Sequence, residues 1–465
     1  MGGPRPLGVV IKLGTSSIVD EKSHEPLLSI LTSIVETAVK LRKDGHRVII
    51  VSSGAIGVGL RRMDVEKRPK HLPQLQALAA IGQCRLMSLW DSLFTHLRQP
   101  IAQILLTRSD IANRSRYLNA QNTINELLDM SVIPIVNEND TLAVSEIKFG
   151  DNDTLSAITA AMVHADLLFL MTDVDCLYDK NPRTNPDAQP IEVIEDISAL
   201  VADVSQAGSA LGTGGMSTKI VAARLATSAG VTTVITRSSN PGNIIKIVQH
   251  IQGSRSPASL VTTTQANTAD ADEDQHDSIP NPLVPTTTAN PTPAAEIPLH
   301  TRFLPSPHPV RDRYFWILYG LTPHGTLYID AGAYRALQAR AGLLPVGVLD
   351  VEGTFAQQEA VRLCVVTRSK SKGTGDKAWE GPAVEVGRAL VNYASFEITR
   401  TMGHQSAELK DLLGYADSEY VAQRESISLF RRDSRPATPS WEAVGGLMGG
   451  ERAEGAEDKG ETGEK

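Results

Sequence analysis

The chain has 465 residues, 41% hydrophobic, 21% charged and 5% aromatic, with a formal net charge of −8. That length accommodates two to four domains of roughly 100–200 residues, and the balance is that of a soluble globular protein, not of a collagen or a membrane bundle. Three scattered cysteines (Cys84, Cys176, Cys364) argue against a disulfide framework or a zinc cluster and for a reducing compartment, so a cytoplasmic location is expected.

The charge is unevenly distributed. Residues 1–255 hold 25 basic and 25 acidic side chains, residues 256–309 one against six, residues 310–430 13 against 14, and residues 431–465 six against eight. No segment is basic, so bulk attraction to nucleic acid or to anionic lipid is not expected. No apolar run approaches the ~20 residues that would span a membrane.

In chain order, short apolar runs alternate with helical patterns as far as residue 255. Strands are predicted over 7–13, 47–51, 101–106, 132–136, 167–171 and 233–235. Helical spacing of apolar residues recurs over 28–42, 72–97 and 120–130. Near-continuous apolar strands separated by helices predict an α/β domain, an open and mostly parallel sheet sandwiched by helices. Ten of the 26 prolines fall in 251–310, and residues 256–309 read as a disordered Pro/Thr/Asp-rich linker. Short strands over 314–318, 325–329, 360–366, 382–386 and 388–393, with glycines between them, predict a small β-rich domain over 310–433. Residues 434–465 read as a flexible Gly/Glu-rich tail. Tyr314, Phe315 and Trp316 read as core residues more than as base-stacking ones.

In open α/β sheets ligands bind beyond the carboxyl ends of strands. Several strands here end in polar or glycine-rich segments: Lys12-Leu13-Gly14-Thr15-Ser16, Ser52-Ser53-Gly54-Ala55, Asn137-Glu138-Asn139-Asp140 and Thr172-Asp173. Two further loops, Gly150-Asp151-Asn152-Asp153 and Gly212 to Lys219, have the same character. Gly14, Gly54, Gly214 and Gly215 would let backbone N–H groups approach an anion. Ser53 and Lys219 stand where a loop turns into a helix, and helix N-termini attract phosphate and carboxylate. Neither a Walker A loop nor a dinucleotide-binding glycine fingerprint is present. Lys12 at a strand end and Lys219 after a glycine-rich loop would together suit a migrating phosphoryl group. Asp153 would orient both lysines through ion pairs. Asp140 with Asn152 could grip the amino group of a small zwitterion. Asp151 and Asp173, taken singly, read as turn or N-cap residues. No His/Cys metal spacing occurs, and a nucleotide would bring its own Mg2+.

Taken together, five of these motifs in order, Lys12 to Ser16, Ser53 to Ile56, Asn137 to Asp140, Gly150 to Asp153 and Gly212 to Lys219, resemble the glutamate 5-kinases of the amino acid kinase family over residues 7–255, and residues 310–430 resemble a PUA domain. The resemblance implies an amino acid kinase fold over 1–255 and a PUA-like domain over 310–433. It implies ATP-dependent phosphorylation of the L-glutamate side-chain carboxylate, as in the first step of proline synthesis, with proline as a feedback inhibitor. Lys12, Lys219 and Asp153 would be catalytic, and Ser53, Asp140 and Asn152 would bind glutamate. Lys12, Gly14, Thr172, Asp173, Thr213, Gly214, Gly215, Met216, Ser217, Thr218 and Lys219 would bind ATP, with Mg2+ on its phosphates. A homo-oligomer is expected, and neither a membrane nor RNA is an expected partner. The same fold acting on acetylglutamate, aspartate, carbamate or UMP is the alternative, followed by an RNA-binding or regulatory role for the second domain. The 256–309 linker, a 370–381 insertion and the acidic tail depart from the family pattern.

Overall fold

The first strand already carries the logic of the first domain. In the computed structural model, which describes residues 5–142, 152–197, 215–254, 297–310, 312–369, 379–414 and 418–430, β1 (Gly8–Leu13) lies between two parallel neighbours. Val10 faces one hydrophobic core, and Val9, Ile11 and Leu13 face the other. A strand covered on both sides has to be apolar at almost every position. Lys12 breaks the run, and side-chain alternation puts it on the Val10 side.

All six strands expected up to residue 255 are present: β1, β2 (Arg47–Ser52), β3 (Ile101–Leu106), β4 (Ile133–Glu138), β5 (Leu167–Thr172) and, further on, β9 (Thr232–Arg237). They pair in parallel in the order β3-β4-β2-β1-β5-β9. A two-stranded flap, β6 (Leu177–Tyr178) with β7 (Pro190–Ile191), follows β5, and then comes β8 (Val193–Ile194). Helices α1 (Leu28–Lys43), α2 (Ala55–Arg62), α3 (Leu72–His96) and α8 (Asn243–Ser254) supply one core. Helices α4 (Arg108–Ala112), α5 (Arg114–Asp129), α6 (Asn152–Met162) and α7 (Met216–Ser228) supply the other, on the Val10 face. Leu155, Ala157, Ile158, Ala222, Ala223 and Ala226 are its inner lining.

Three expectations from the sequence are corrected. The 256–309 linker stops short of its predicted end: Thr301–Phe303 form β10, which pairs antiparallel with β9 and parallel with β8 and buries Phe303 completely. Residues 255–296 lie outside the described residues, as do most of the 370–381 insertion (370–378) and the 434–465 tail. Second, 314–318 is not a strand. It falls in helix α9 (Asp312–Phe315), which runs on into a π-helical turn, Trp316–Gly320. Phe315, Trp316, Ile317 and Leu318 are all buried, and a continuously apolar run of this length reads alike as strand or as buried helix. Third, the two strands expected over 382–393 are one, β14 (Trp379–Leu390).

The second sheet has the order β12-β11-β13-β14-β15, from β11 (Gly325–Ile329), β12 (Val348–Gly353), β13 (Ala360–Arg368), β14 and β15 (Ile427–Leu429). Helices α10 (Ala331–Gln338), α11 (Ser395–Thr401) and α12 (Leu409–Leu413) accompany it around a separate core that includes Leu327, Val361, Tyr393 and Ile427. Among the described residues no helix is long and apolar enough to cross a membrane.

One turn sets the geometry at the carboxyl end of β2. Gly54 caps α2 with φ of +97°, and a Cβ there would lie 3.1 Å from Ile18 Cγ2. We expect Gly54→Ala to lower the urea midpoint by the equivalent of about 1–2 kcal/mol, since left-handed backbone penalises any Cβ. An unchanged midpoint would show that the turn relaxes freely.

Candidate active site

The carboxyl ends of β1, β2, β4 and β5 converge, and the helix N-termini of α6 and α7 meet them there. At the centre stand Lys12, Asp153 and Lys219. Lys12 Nζ lies 2.6 Å from Asp153 Oδ1 and Lys219 Nζ lies 3.5 Å from Asp153 Oδ2. The residues are 4%, 0% and 7% exposed, so solvent screens this charge little. Strand parity turns Lys12 toward the face that α6 and α7 cover, which is how three residues distant in sequence come together.

The electrostatics of the trio are unbalanced. Burial pushes the Asp153 carboxyl up, but Lys12 and then Lys219, with hydrogen bonds from Lys12 and Thr218, outweigh it and hold its pKa at about 2. It is therefore an anion at neutral pH. Burial pushes the Lys219 ammonium down, and the neighbouring Lys12 acts in the same direction against the pull of Asp153. One carboxylate between two buried lysines leaves a site short of one negative charge. Burying such an excess is costly unless an anion joins it.

The glycine-rich loop enters α7 through Gly215, its N-cap. Thr218 Oγ1 accepts a hydrogen bond from the Gly215 N–H at 3.1 Å and donates to Asp153 Oδ2 at 2.8 Å. The first turn of α7, which includes Met216 and Ser217, is thereby tied to Asp153. Helix N–H groups without intrahelical partners favour an anion at that position. Gly14 lies just beyond β1, where a Cβ would stand 3.7 Å from Lys12 Nζ. Thr213 and Gly214 lie outside the described residues.

Thr172 ends β5 and is buried, with its hydroxyl donating to Asp173 Oδ1 at 3.1 Å. Asp173 is exposed to about half its extent and pairs with Arg183. Next to it, Arg237 grips Asp175 through two hydrogen bonds of 2.6 and 2.7 Å. These pairs form a polar rim on the β5–β9 side of the lysines. Neither Arg183 nor Arg237 stands in a motif that the sequence reading singled out.

On the opposite side lies an uncharged network. Asn152 Nδ2 donates to Ser53 Oγ at 2.8 Å and to Asn137 Oδ1 at 2.9 Å. Asn137 Nδ2 in turn donates to Gln83 Oε1 at 2.9 Å. With both amide hydrogens of Asn152 committed, its Oδ1 is buried and has no partner among the described residues. An unsatisfied buried acceptor is costly, and a ligand N–H would satisfy it. Ser53 is held beside the end of β1 by its backbone N–H, which donates to Leu13 O at 3.1 Å. Asp140 is half-buried in the loop after β4. Asn152 and Asp153 are consecutive at the start of α6, so one helix turn sends an amide to one side and a carboxylate to the other.

The structure therefore gathers Lys12, Gly14, Asp153, Gly215, Thr218 and Lys219 in one place, with Thr172 and Asp173 on the rim and Ser53 and Asn152 across from them. Asn137 and Gln83 complete the network. Asn137 sits in the Asn-Glu-Asn-Asp run that singled out Asp140, while Gln83, on α3, carries no local signal at all.

A model of the amino acid kinase family matches residues 8–237, and one of the PUA domain matches residues 325–413. The chain is 52% identical over 422 residues to a probable glutamate 5-kinase of Schizosaccharomyces pombe, covering 90% of this chain and 92% of that one. It is 46% identical to an uncharacterized protein of Saccharomyces cerevisiae, covering 90% and 97%. It is 44% identical to a glutamate 5-kinase of a Cyanothece species, covering 90% and 99%.

Proposed function

Because the chain belongs to the glutamate 5-kinase family, we propose that it transfers the γ-phosphoryl group of ATP to the side-chain carboxylate of L-glutamate, giving L-glutamyl 5-phosphate and ADP. The observation that supports this reading best is the Asp153 carboxylate shared by two buried ammonium groups, beside an amide network with an unfilled acceptor.

In this reading the nucleotide phosphates lie over the first turn of α7, and the lysines sit against the transferring group. A glutamate carboxylate oxygen attacks the γ-phosphorus, and the bond from that phosphorus to the β–γ bridging oxygen breaks in line. The attacking carboxylate is already ionised at neutral pH, so no general base is needed. Charge moves from the γ-oxygens toward the bridging oxygen, and Lys12 and Lys219 offset it through fixed, desolvated ammonium groups. Asp153 keeps the two lysines from repelling each other apart. Among the described residues no group of three His, Cys, Asp or Glu side chains could hold a metal. Magnesium would enter the site on the nucleotide phosphates.

Glutamate would place its ammonium against Asn152 Oδ1 and Asp140, with Ser53 beside it. Proline, a cyclic amino acid made from the product, would compete at or near this same subsite as a feedback inhibitor. A coupled assay with ATP and Mg2+ tests the acceptor directly. Turnover of glutamate and not of acetylglutamate, aspartate, carbamate or UMP is expected, with inhibition by proline. Phosphorylation of acetylglutamate or UMP without glutamate would overturn the assignment. In the same assay Asp140→Ala should raise the KM for glutamate by about 10- to 100-fold, the range for one hydrogen bond to a charged group. An effect confined to the KM for ATP would place Asp140 on the wrong side of the site.

A further inference from the structure

The helical segment 312–320 precedes the second sheet in the chain yet packs into the core of the first domain. Phe315, Trp316, Ile317 and Leu321 share the core that holds α6 and α7. The segment is also tied to the second sheet. Arg313 Nη2 donates to Ser426 Oγ at 3.3 Å, and Arg388 on β14 donates to Leu321 O at 3.0 Å. Trp316 makes the sharpest of its contacts. Its indole N–H donates to the carbonyl oxygen of Ile111 at 2.9 Å, and the residue is 6% exposed.

Helix α4 explains why this bond matters. It has five residues, and such a helix leaves most of its last carbonyls without internal partners. Its start is well held, because Thr107 and Asp110 form a reciprocal capping box at 2.9 and 3.1 Å. Its end is held by the Asn113 N–H, which donates to Ser109 O at 3.0 Å, and by Trp316. The Arg114 guanidinium, at the start of α5, lies over the rings of both Tyr117 and Trp316 at 5.5 and 5.4 Å, which fixes the indole plane. At the end of β3, one residue before the Thr107 cap of α4, Leu106 O accepts the backbone N–H of Asn139 at 2.9 Å, the last rung of the β3–β4 pairing. The stretch from Leu106 to Ile111 thus meets Trp316 at one end and, at the other, where β3 ends, the loop that carries Asn139 and Asp140.

We propose that Trp316 is a positioning residue for the acceptor subsite: through Ile111 and α4 it sets the Asn139–Asp140 loop, and it links the second-sheet domain to glutamate binding. This inference rests on the reading of that loop as the glutamate side of the site.

Trp316→Phe retains an aromatic ring against Arg114 and removes the N–H donor together with part of the buried ring, so the packing loss is read separately from the exchange of the rest of the core. In the full-length protein it should raise the KM for glutamate by about 3- to 10-fold, the factor one net hydrogen bond is worth, with the KM for ATP and kcat within twofold of the parent. Amide hydrogen exchange in 107–112 and 137–142 should quicken, and that of β1 should not. Equal shifts in both KM values, or faster exchange throughout, would reduce Trp316 to a packing residue. Asp140→Ala, run beside it, separates the two claims. If Asp140→Ala leaves the glutamate KM unchanged, the assignment of the loop falls. If Asp140→Ala raises it and Trp316→Phe does not, the link through α4 falls.

Discussion

Lys219→Ala is expected to lower kcat by about 10²- to 10³-fold while leaving the KM for glutamate close to that of the parent. The ammonium stands in a water-poor site, fixed by Asp153 and by the first turn of α7. It has nowhere to reorganise as charge develops, and removing one such fixed donor typically costs about 3–4 kcal/mol in the transition state. In the proposed reading glutamate binds on the opposite side of the site, so its KM should barely move. A second expectation follows from the same electrostatics and runs against ordinary packing intuition. Burial and Lys12 both push the Lys219 pKa down, so the folded state holds this charge reluctantly. Lys219→Met, which keeps the volume of the stem, should leave Lys12 and Asp153 as a balanced pair and raise the melting temperature even as activity collapses. That opposition between stability and turnover is the signature of a residue kept for function. Steady-state kinetics and calorimetry on the two variants decide it. A pure increase in KM, or a lower melting temperature for the Met variant, would remove Lys219 from the role assigned to it.

Much of this site was legible before any fold was known, for reasons that can be stated. Lys12 stood out because a lysine inside an apolar run is hard to place without a partner. Strand alternation then told which face it would take, though not what lay there. Lys219 stood out because it follows a glycine-rich loop at a helix start. Both are local signals. The partners that complete the chemistry are not local. Gln83 is one polar residue on a long amphipathic helix, and only the packing of α3 beneath β4 brings it to Asn137. Arg183 and Arg237 are ordinary surface residues until they meet Asp173 and Asp175. The fold shows the same division. The parallel strands were readable because burial on both faces forces long apolar runs. β10 was not readable, because three residues between prolines carry no periodicity and its pairing with β9 bridges a long stretch of chain. Residues 314–318, within the 312–320 helical segment, read as a strand because burial on all sides erases the period that separates the two.

Asp153→Asn should be the most damaging single change to the first domain. The substitution keeps the shape and removes the only charge that stands between Lys12 Nζ and Lys219 Nζ among the described residues. Two ammonium groups would then face each other in a buried site. Removing one partner of a buried ion pair typically destabilises by about 3–5 kcal/mol, so the urea midpoint should fall by a comparable amount. Activity should fall with it, since at least one lysine escapes the strain by giving up its proton and no longer offsets phosphoryl charge. The parent protein supplies an independent check through pH. The native Asp153 pKa of about 2 lies below the ordinary 3.8, so the folded state favours the ionised form. The resulting stability is fully present above pH 3.8 and is lost as the pH falls through 3.8 toward 2. At about 1.4 kcal/mol per pH unit this single group contributes roughly 2 kcal/mol. Denaturation midpoints of the parent should therefore drop between pH 4 and 2 more steeply than those of Asp153→Asn, which has no carboxyl there to protonate. Parallel pH profiles for the two proteins would mean that Asp153 is not the charge that organises this site.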